Sequence, residues 1–225
     1  MKHRPHLLVD ADWDGDFVAV GEPAAAHLTK VLRYQKGEFV SYTDGAGRLG
    51  EGIWTGVGVE RGSEQLVDRP STLTIAVAPP RPKDRQRFIV KNSQELGVSK
   101  LVWLTTDLSE GRAPSIAKAA AWRSAALEQS RGAWLTELEG PISLGALSHP
   151  ILCDVDGGSF RDIVKSHPLT IAIGPEGGWS PAEIESCQST VSIASTVLRT
   201  ETAAMVAATM VLHGGCGSDT IALSG

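Results

Sequence analysis

The chain has little cysteine and no long apolar run, and each shortage closes off a class of protein. Its three cysteines, Cys153, Cys187 and Cys216, are odd in number and scattered, with no C-x-x-C pair. That argues against a disulfide framework and against a thiolate zinc site, and it fits a reducing compartment. The six histidines form no H-x-x-x-H pair. Asp154 and Asp156, near His149, sit in D-x-D-G-G without the downstream carboxylate of a calcium loop, so a solvated turn is expected and no metal. No stretch approaches the length of a membrane span. The first residues, MKHRPHLLVDADWDGDF, turn acidic after residue 9 and lack the apolar core of a signal peptide. A soluble, cytoplasmic protein is expected, with no membrane partner.

What is present suits a globular enzyme-sized chain. With 225 residues, 42% of them hydrophobic, it can bury one large core or two smaller ones. The formal net charge of −5 decides nothing about partners, because distribution matters more than the sum. Arg81–Lys100 carries six basic side chains (Arg81, Lys83, Arg85, Arg87, Lys91, Lys100) against Asp84 and Glu95, a local positive patch.

Residues 1–70 read as mostly β. Short apolar runs at His6–Val9, Phe17–Val20, Phe39–Tyr42 and Gly52–Val59 are separated by turn residues, and one helix is expected over Glu22–Leu32. A small closed or half-closed β-barrel is the economical architecture. Gly45-Ala46-Gly47-Arg48-Leu49-Gly50 matches G-x-G-x-x-G, but it lies between two short strands with no helix following. A hairpin turn is the reading, and a dinucleotide site is rejected. After Arg69-Pro70-Ser71 the periodicity changes. Strands are expected at Leu73–Ala78, Lys100–Thr105, Ile151–Val155, Leu169–Ile173 and Val191–Ala194. Helices are expected at Asp84–Leu96, about Ser115–Arg131, near Phe160–Lys165, and Thr202–His213 with Gly214 as its cap. This alternation is that of an α/β protein with a parallel sheet.

The stretch Ile171–Glu185, IAIGPEGGWSPAEIE, joins a buried strand to a sharply marked helix. Ser180 is a good N-cap, Pro181 fits the first helical position, and Glu183 completes a capping box. Between them Gly177 and Gly178 permit close backbone approach to a ligand. Glu176 inside the loop would repel phosphate, and no G-K-[ST] follows, so a neutral or cationic ligand fits better. A second loop, Val197-Leu198-Arg199-Thr200-Glu201-Thr202-Ala203, leads into the last helix. Ligands of open α/β sheets sit at the carboxyl ends of such strands.

Together, G-P-E-G-G-x-S-x-x-E-x-E and V-L-R-T-E-T-A resemble the RsmE family of small-subunit ribosomal RNA methyltransferases, within the SPOUT superfamily. His27-Leu28-Thr29-Lys30-Val31-Leu32-Arg33 resembles the family's N-terminal signature, with Asp44-Gly45 at the expected place. Lys91-x-x-Gln94-Glu95-Leu96-Gly97 resembles its K-x-x-E-L-G helix, and Trp122 with Glu128-Gln129-Ser130-Arg131 its W…E-Q-S-x-R helix. The resemblance implies a PUA-like RNA-binding barrel over residues 1–70. It implies a SPOUT methyltransferase domain over 71–225, threaded as a C-terminal trefoil knot, in a homodimer that binds S-adenosylmethionine. Family members methylate N3 of a uridine in 16S ribosomal RNA of the small ribosomal subunit. By position, Ile173, Gly174, Glu176, Gly177 and Gly178 would form one wall of the cofactor pocket. Ile193, Ala194, Thr196, Val197 and Leu198, with Thr202, would form another. Lys30, Arg33, Arg81, Lys83, Arg85 and Lys91 would meet RNA phosphate. Glu201 or Glu176 would assist proton loss from the acceptor nitrogen, and Arg199 or Arg131 would stabilise charge on the uracil carbonyls.

The chain departs from the family pattern in three places. Ala194 and Thr196 replace a glycine and an arginine of L-G-x-R-I-L-R, Gly132-Ala133-Trp134-Leu135 replaces a second arginine and V-P, and Cys153–Gly158 is unusually acidic. The first departure motivates a second reading, a catalytically weakened RNA- or ribosome-binding relative that retains the knot. A nucleotide-dependent doubly wound enzyme would need a phosphate loop after its first strand, and Ala78-Pro79-Pro80-Arg81 has no glycine.

Overall fold

The computed structural model describes residues 4–9, 13, 15–160 and 168–213. The expected helix near Phe160–Lys165 falls largely outside these residues, as do Cys216 and the expected cap Gly214. Two compact units emerge, Met1–Arg69 with Arg123–Leu135, and Pro70–Trp122 with Thr136–Gly225.

The first unit is a curled five-stranded sheet, with β1 (His6–Leu8), β2 (Phe17–Ala19), β3 (Phe39–Thr43), β4 (Arg48–Trp54) and β5 (Gly58–Leu66) in the order β1-β3-β4-β5-β2. β1 runs parallel to β3 and the other pairs are antiparallel. The run Gly52–Val59 is two strands, because residues 55–57 turn the chain between β4 and β5. The helix expected over Glu22–Leu32 is a short α1 (Glu22–Ala26) that continues as a π-helical turn, His27–Val31. Val18, Leu28, Val40, Tyr42, Trp54 and Val59 are fully buried within the curl.

The G-x-G-x-x-G stretch is the β3–β4 hairpin turn. Its glycines are required by close packing: a Cβ on Gly45 would lie 2.6 Å from Leu135, and one on Gly47 2.5 Å from Trp134. The same segment pairs with the turn through Leu135 N–H to Gly45 O (2.8 Å) and Gly47 N–H to Ala133 O (2.9 Å). The segment that lacks the family's V-P is thus the cover of this hairpin.

The second unit holds a six-stranded, all-parallel sheet in the order β11-β9-β10-β6-β7-β8. Its strands are β6 (Leu73–Val77), β7 (Lys100–Thr105), β8 (Glu137–Ser143), β9 (Ile151–Ser159), β10 (Leu169–Ile173) and β11 (Ser189–Ser192). Helix α2 (Lys83–Leu96) follows β6 and ends on Gly97 in the left-handed conformation. α3 (Ile116–Ser130) follows β7, α4 (Pro181–Ser186) follows β10, and α5 (Thr200–His213) follows β11.

Alternate residues of the central strands bury on opposite faces. Ile75, Val77, Leu101, Trp103, Ile171 and Ile173 join one core, while Ala76, Val102, Leu104 and Ala172 join another. Both faces are covered, so these strands read as continuous apolar runs. β8 is an additional strand that no apolar run announces. It lies at the sheet edge, and its ELEGPIS offers only Leu138 and Ile142 as apolar residues.

β10 lies between β9 and β6, and the chain then crosses to the far side of β9 to form β11. From there α5 returns to pack on α2, β6 and β10. Ala203, Ala204, Ala207 and Ala208 are the buried residues that permit its close approach.

Candidate functional site

At the carboxyl ends of β9, β10 and β11 the second unit opens into a cleft of about 280 Å³. Three segments wall it: residues 153–155 at the bend of β9, residues 173–179 after β10, and the loop after β11 through Leu198 into α5. Of the residues expected from sequence to hold a cofactor, Ile173, Gly174, Glu176, Gly177, Gly178, Ile193, Ala194, Thr196, Val197 and Leu198 line the cleft. Thr202 does not. Thr202 is exposed on α5, and Thr200, the first residue of that helix, lines the cleft in its place.

The loop after β10 is held from several sides. Ser180 caps α4 as expected: its Oγ accepts from Glu183 N–H (3.2 Å) while Glu183 Oε2 accepts from Ser180 N–H (2.8 Å). Glu183 Oε1 also accepts from Asp107 N–H (3.1 Å), and Ser180 Oγ donates to Asp107 Oδ2 (2.6 Å). This fixes the loop after β7 against the start of α4. Trp179, which no sequence pattern singles out, is buried and donates its indole N–H to Cys153 O (3.0 Å). Its ring lies on Gly174, where a Cβ would come within 3.1 Å. Thr200 Oγ1 donates to Gly174 O (3.1 Å), joining the last helix to the glycine loop.

The loop after β11 departs from the family pattern without strain. Ala194 is not among the non-glycine residues with positive φ, so its Cβ imposes no backbone cost. It takes part in the cleft wall, and Ser192 Oγ donates to its carbonyl (3.0 Å).

The electrostatics centre on one arginine. Arg85 Nη1 lies 3.2 Å from Glu176 Oε1, and Arg85 Nε lies 3.4 Å from Glu201 Oε1. Glu201 is largely buried, its side chain 13% exposed, and its second oxygen, Oε2, is buried without a hydrogen-bond partner. Arg85, expected to meet RNA phosphate, is paired with these two carboxylates. Cys153, at the cleft floor, has its thiol pushed up to about 12 by burial, with neighbouring Asp154 adding to the effect. Asp154 lines the same wall and accepts from Asp156 N–H (2.9 Å).

The remaining candidates are dispersed. Arg199 is exposed just ahead of α5. Lys83 is exposed, Lys91 is half-buried on α2, and Arg81 pairs with Glu110 (3.1 Å). Lys30 and Arg33 are exposed on the first unit. Arg131 belongs to that unit too and donates to Arg4 O (3.1 Å). Among the described residues no group of three or more His, Cys, Asp or Glu is placed to hold a metal ion, and no helix is long and apolar enough to cross a membrane.

The cleft sits within the segment that comparisons pick out. Residues 67–212 match the family described as RNA methyltransferase domain. A Synechocystis protein named ribosomal RNA small subunit methyltransferase E is 28% identical over 211 residues, covering 80% of this chain and 68% of that protein. A crystal structure of a probable rRNA-methyltransferase from Porphyromonas gingivalis superposes with a TM-score of 0.81 at 25% identity, covering 92% of this chain and 96% of that one. Two others share the fold: a Legionella pneumophila methyltransferase in complex with S-adenosylmethionine (TM-score 0.83, 24% identity, 95% and 98% covered), and ribosomal RNA small subunit methyltransferase E from Neisseria gonorrhoeae, also bound to it (0.80, 24%, 93% and 98%). On the family match, supported by the shared motifs and fold, the chain belongs to the RNA methyltransferase family of the RsmE type.

Proposed function

We propose that this protein is an S-adenosylmethionine-dependent methyltransferase acting on N3 of a uridine in 16S ribosomal RNA. The observation that carries the reading is the cleft itself, where two loops from separate strands bring the family's two sequence motifs together. Its chemistry fits the cofactor. Backbone and small apolar side chains form a slot for a flat base, and the carboxylates of Asp154 and Glu176 suit a ligand bearing a sulfonium and an ammonium. When bound, the cofactor supplies a methyl group on a cationic sulfur.

The chain's own part is positioning and proton removal. An imide nitrogen must lose its proton to become a nucleophile. Glu201 is one candidate base on the family motif; Arg85 pairs with one of its oxygens, the other is buried, and Glu201 stands next to the cleft-lining Thr200 without lining the cleft itself. Glu176, at the cleft and on the same guanidinium, is the second candidate. Arg199, two residues before Glu201, is exposed and can approach charge developing on the uracil carbonyls. Arg131 keeps its place only through the family motif, since its hydrogen bond is to Arg4.

The same reading includes a PUA-like RNA-binding first unit, a knotted C-terminal segment, a homodimer and a cytoplasmic location. The crossing of the chain over β9 followed by the return of α5 supports the knot. Calorimetry with S-adenosylmethionine tests the cofactor, with saturable binding expected and absence of binding at millimolar ligand contradicting it. Methylation assays across pH test the base: Glu201→Gln should abolish transfer while leaving cofactor binding intact. Normal rates in both Glu201→Gln and Glu176→Gln would overturn the assignment.

A further inference from the structure

A second hollow in the same unit is lined by cations. It lies between the amino end of α2 and the loop leading into α3, has a volume of about 440 Å³, and is bordered by Arg81, Lys83, Arg112 and Lys118 with Glu110 as its one carboxylate. We propose that this hollow is a binding site for a backbone phosphate of the substrate RNA, an inference that rests on the RNA-methyltransferase reading.

The hollow has a fixed frame. Gln86, buried in its floor, donates from one amide nitrogen to Pro80 O (2.7 Å) and Arg112 O (2.9 Å), clamping the loop after β7 to the start of α2. Gly111 packs so tightly beneath that a Cβ would lie 1.8 Å from Pro79 O. Arg112 is therefore presented from a fixed backbone. Lys118 stands over the Trp122 ring at 5.2 Å, which steadies its ammonium.

Positive charge is in excess there. Glu110 is taken up by Arg81 (3.1 Å), which leaves Lys83, Arg112 and Lys118 around the opening. Pro82 is the N-cap of α2 and supplies no side-chain cap, so the first N–H groups and the positive end of the dipole add to the field, offset in part by Asp84 in the first turn. An anion is the ligand this chemistry selects, and phosphate is the anion an RNA substrate supplies at every nucleotide.

Placement points the same way. The hollow is built by the segments that follow β6 and β7, and the cleft by those that follow β9, β10 and β11, so both open on the carboxyl edge of one sheet. The loop after β7 connects them, with Asp107 bound to Ser180 at the cleft and Arg112 in the hollow. A strand whose target base enters the cleft would lay its flanking backbone along that edge.

The test compares wild-type protein with Arg112→Gln/Lys118→Gln and with the charge-keeping Arg112→Lys/Lys118→Arg. Binding of a labelled fragment of small-subunit ribosomal RNA is titrated at several salt concentrations, beside calorimetry with S-adenosylmethionine. The neutral variant should bind RNA about 10-fold or more weakly, with a log K against log salt slope shallower by roughly 0.7 for each phosphate no longer engaged. Its cofactor affinity should not change, and the charge-keeping variant should behave as wild type. Unchanged RNA affinity and slope in the neutral variant, with wild type binding normally, would overturn the site and leave the methyltransferase reading standing. Failure of wild type to bind the RNA would remove both. Saturable binding of inorganic phosphate that RNA does not displace would assign the hollow to a small phosphate ligand and also overturn the proposal.

Discussion

The two loops that wall the cleft are built on opposite plans. The one after β10 is part of the fold: Trp179 is buried, Ser180 and Glu183 form a reciprocal cap, Asp107 ties both to the loop after β7, and Thr200 holds Gly174 from the last helix. The one after β11 is lightly tied. Ser195, Thr196 and Val197 are exposed, Val197 at 82%, and Ser192 makes a bond only as far as Ala194. The first wall carries stability and the second carries little, so substitutions in the two should separate folding from ligand binding.

The largest effect is expected at Trp179. Trp179→Ala leaves a cavity and removes the indole hydrogen bond to the Cys153 carbonyl, and should lower unfolding free energy by about 3–5 kcal/mol, read from the urea midpoint. A stability near wild type would mean that the first wall is not structural. Cys153 gives a second measure of the same wall. With its thiol raised from 9.0 to about 12, its thiolate near neutral pH is scarcer by roughly 10³-fold. Iodoacetamide should label it in unfolded protein and spare it in folded protein, with reactivity rising only as pH climbs toward that value. Fast labelling of folded protein in mild alkali would contradict the raised thiol.

Ser180→Ala removes the cap and a partner of Asp107, and should cost about 1 kcal/mol by the same denaturation assay. Val197→Ala should change stability least, by no more than about 0.5 kcal/mol, while weakening S-adenosylmethionine several-fold in calorimetry. If it unfolds the protein instead, the contrast between the walls fails.

The same contrast explains what is legible in the sequence. Ser180, Pro181 and Glu183 state a helix start in local chemistry, and that start stands where the residues place it. The parallel sheet is legible because strands covered on both faces must be continuously apolar. β8 is not, since an edge strand with Pro141 and three acidic or glycine positions lacks that signature. β11 and α5 each begin two residues before the expected points, because apolar content marks where a segment is buried and not where its hydrogen bonds begin. Charge alone marks Arg85 as a phosphate ligand. Its pairing with Glu176 and Glu201 joins residues 91 and 116 positions apart, which no local pattern encodes.

Ala194 teaches the reverse lesson. In the sequence it stands out against a family glycine, yet its backbone lies outside the region that demands glycine. The altered loop thus gives no conformational ground for a protein without turnover.

If the cleft serves methyl transfer to a ribosomal uridine, mass mapping of modified nucleotides in small-subunit ribosomal RNA from cells lacking the protein will show the loss of a single N3-methyluridine. The wild-type chain should restore it and Glu201→Gln should not. An unchanged modification map would contradict that role.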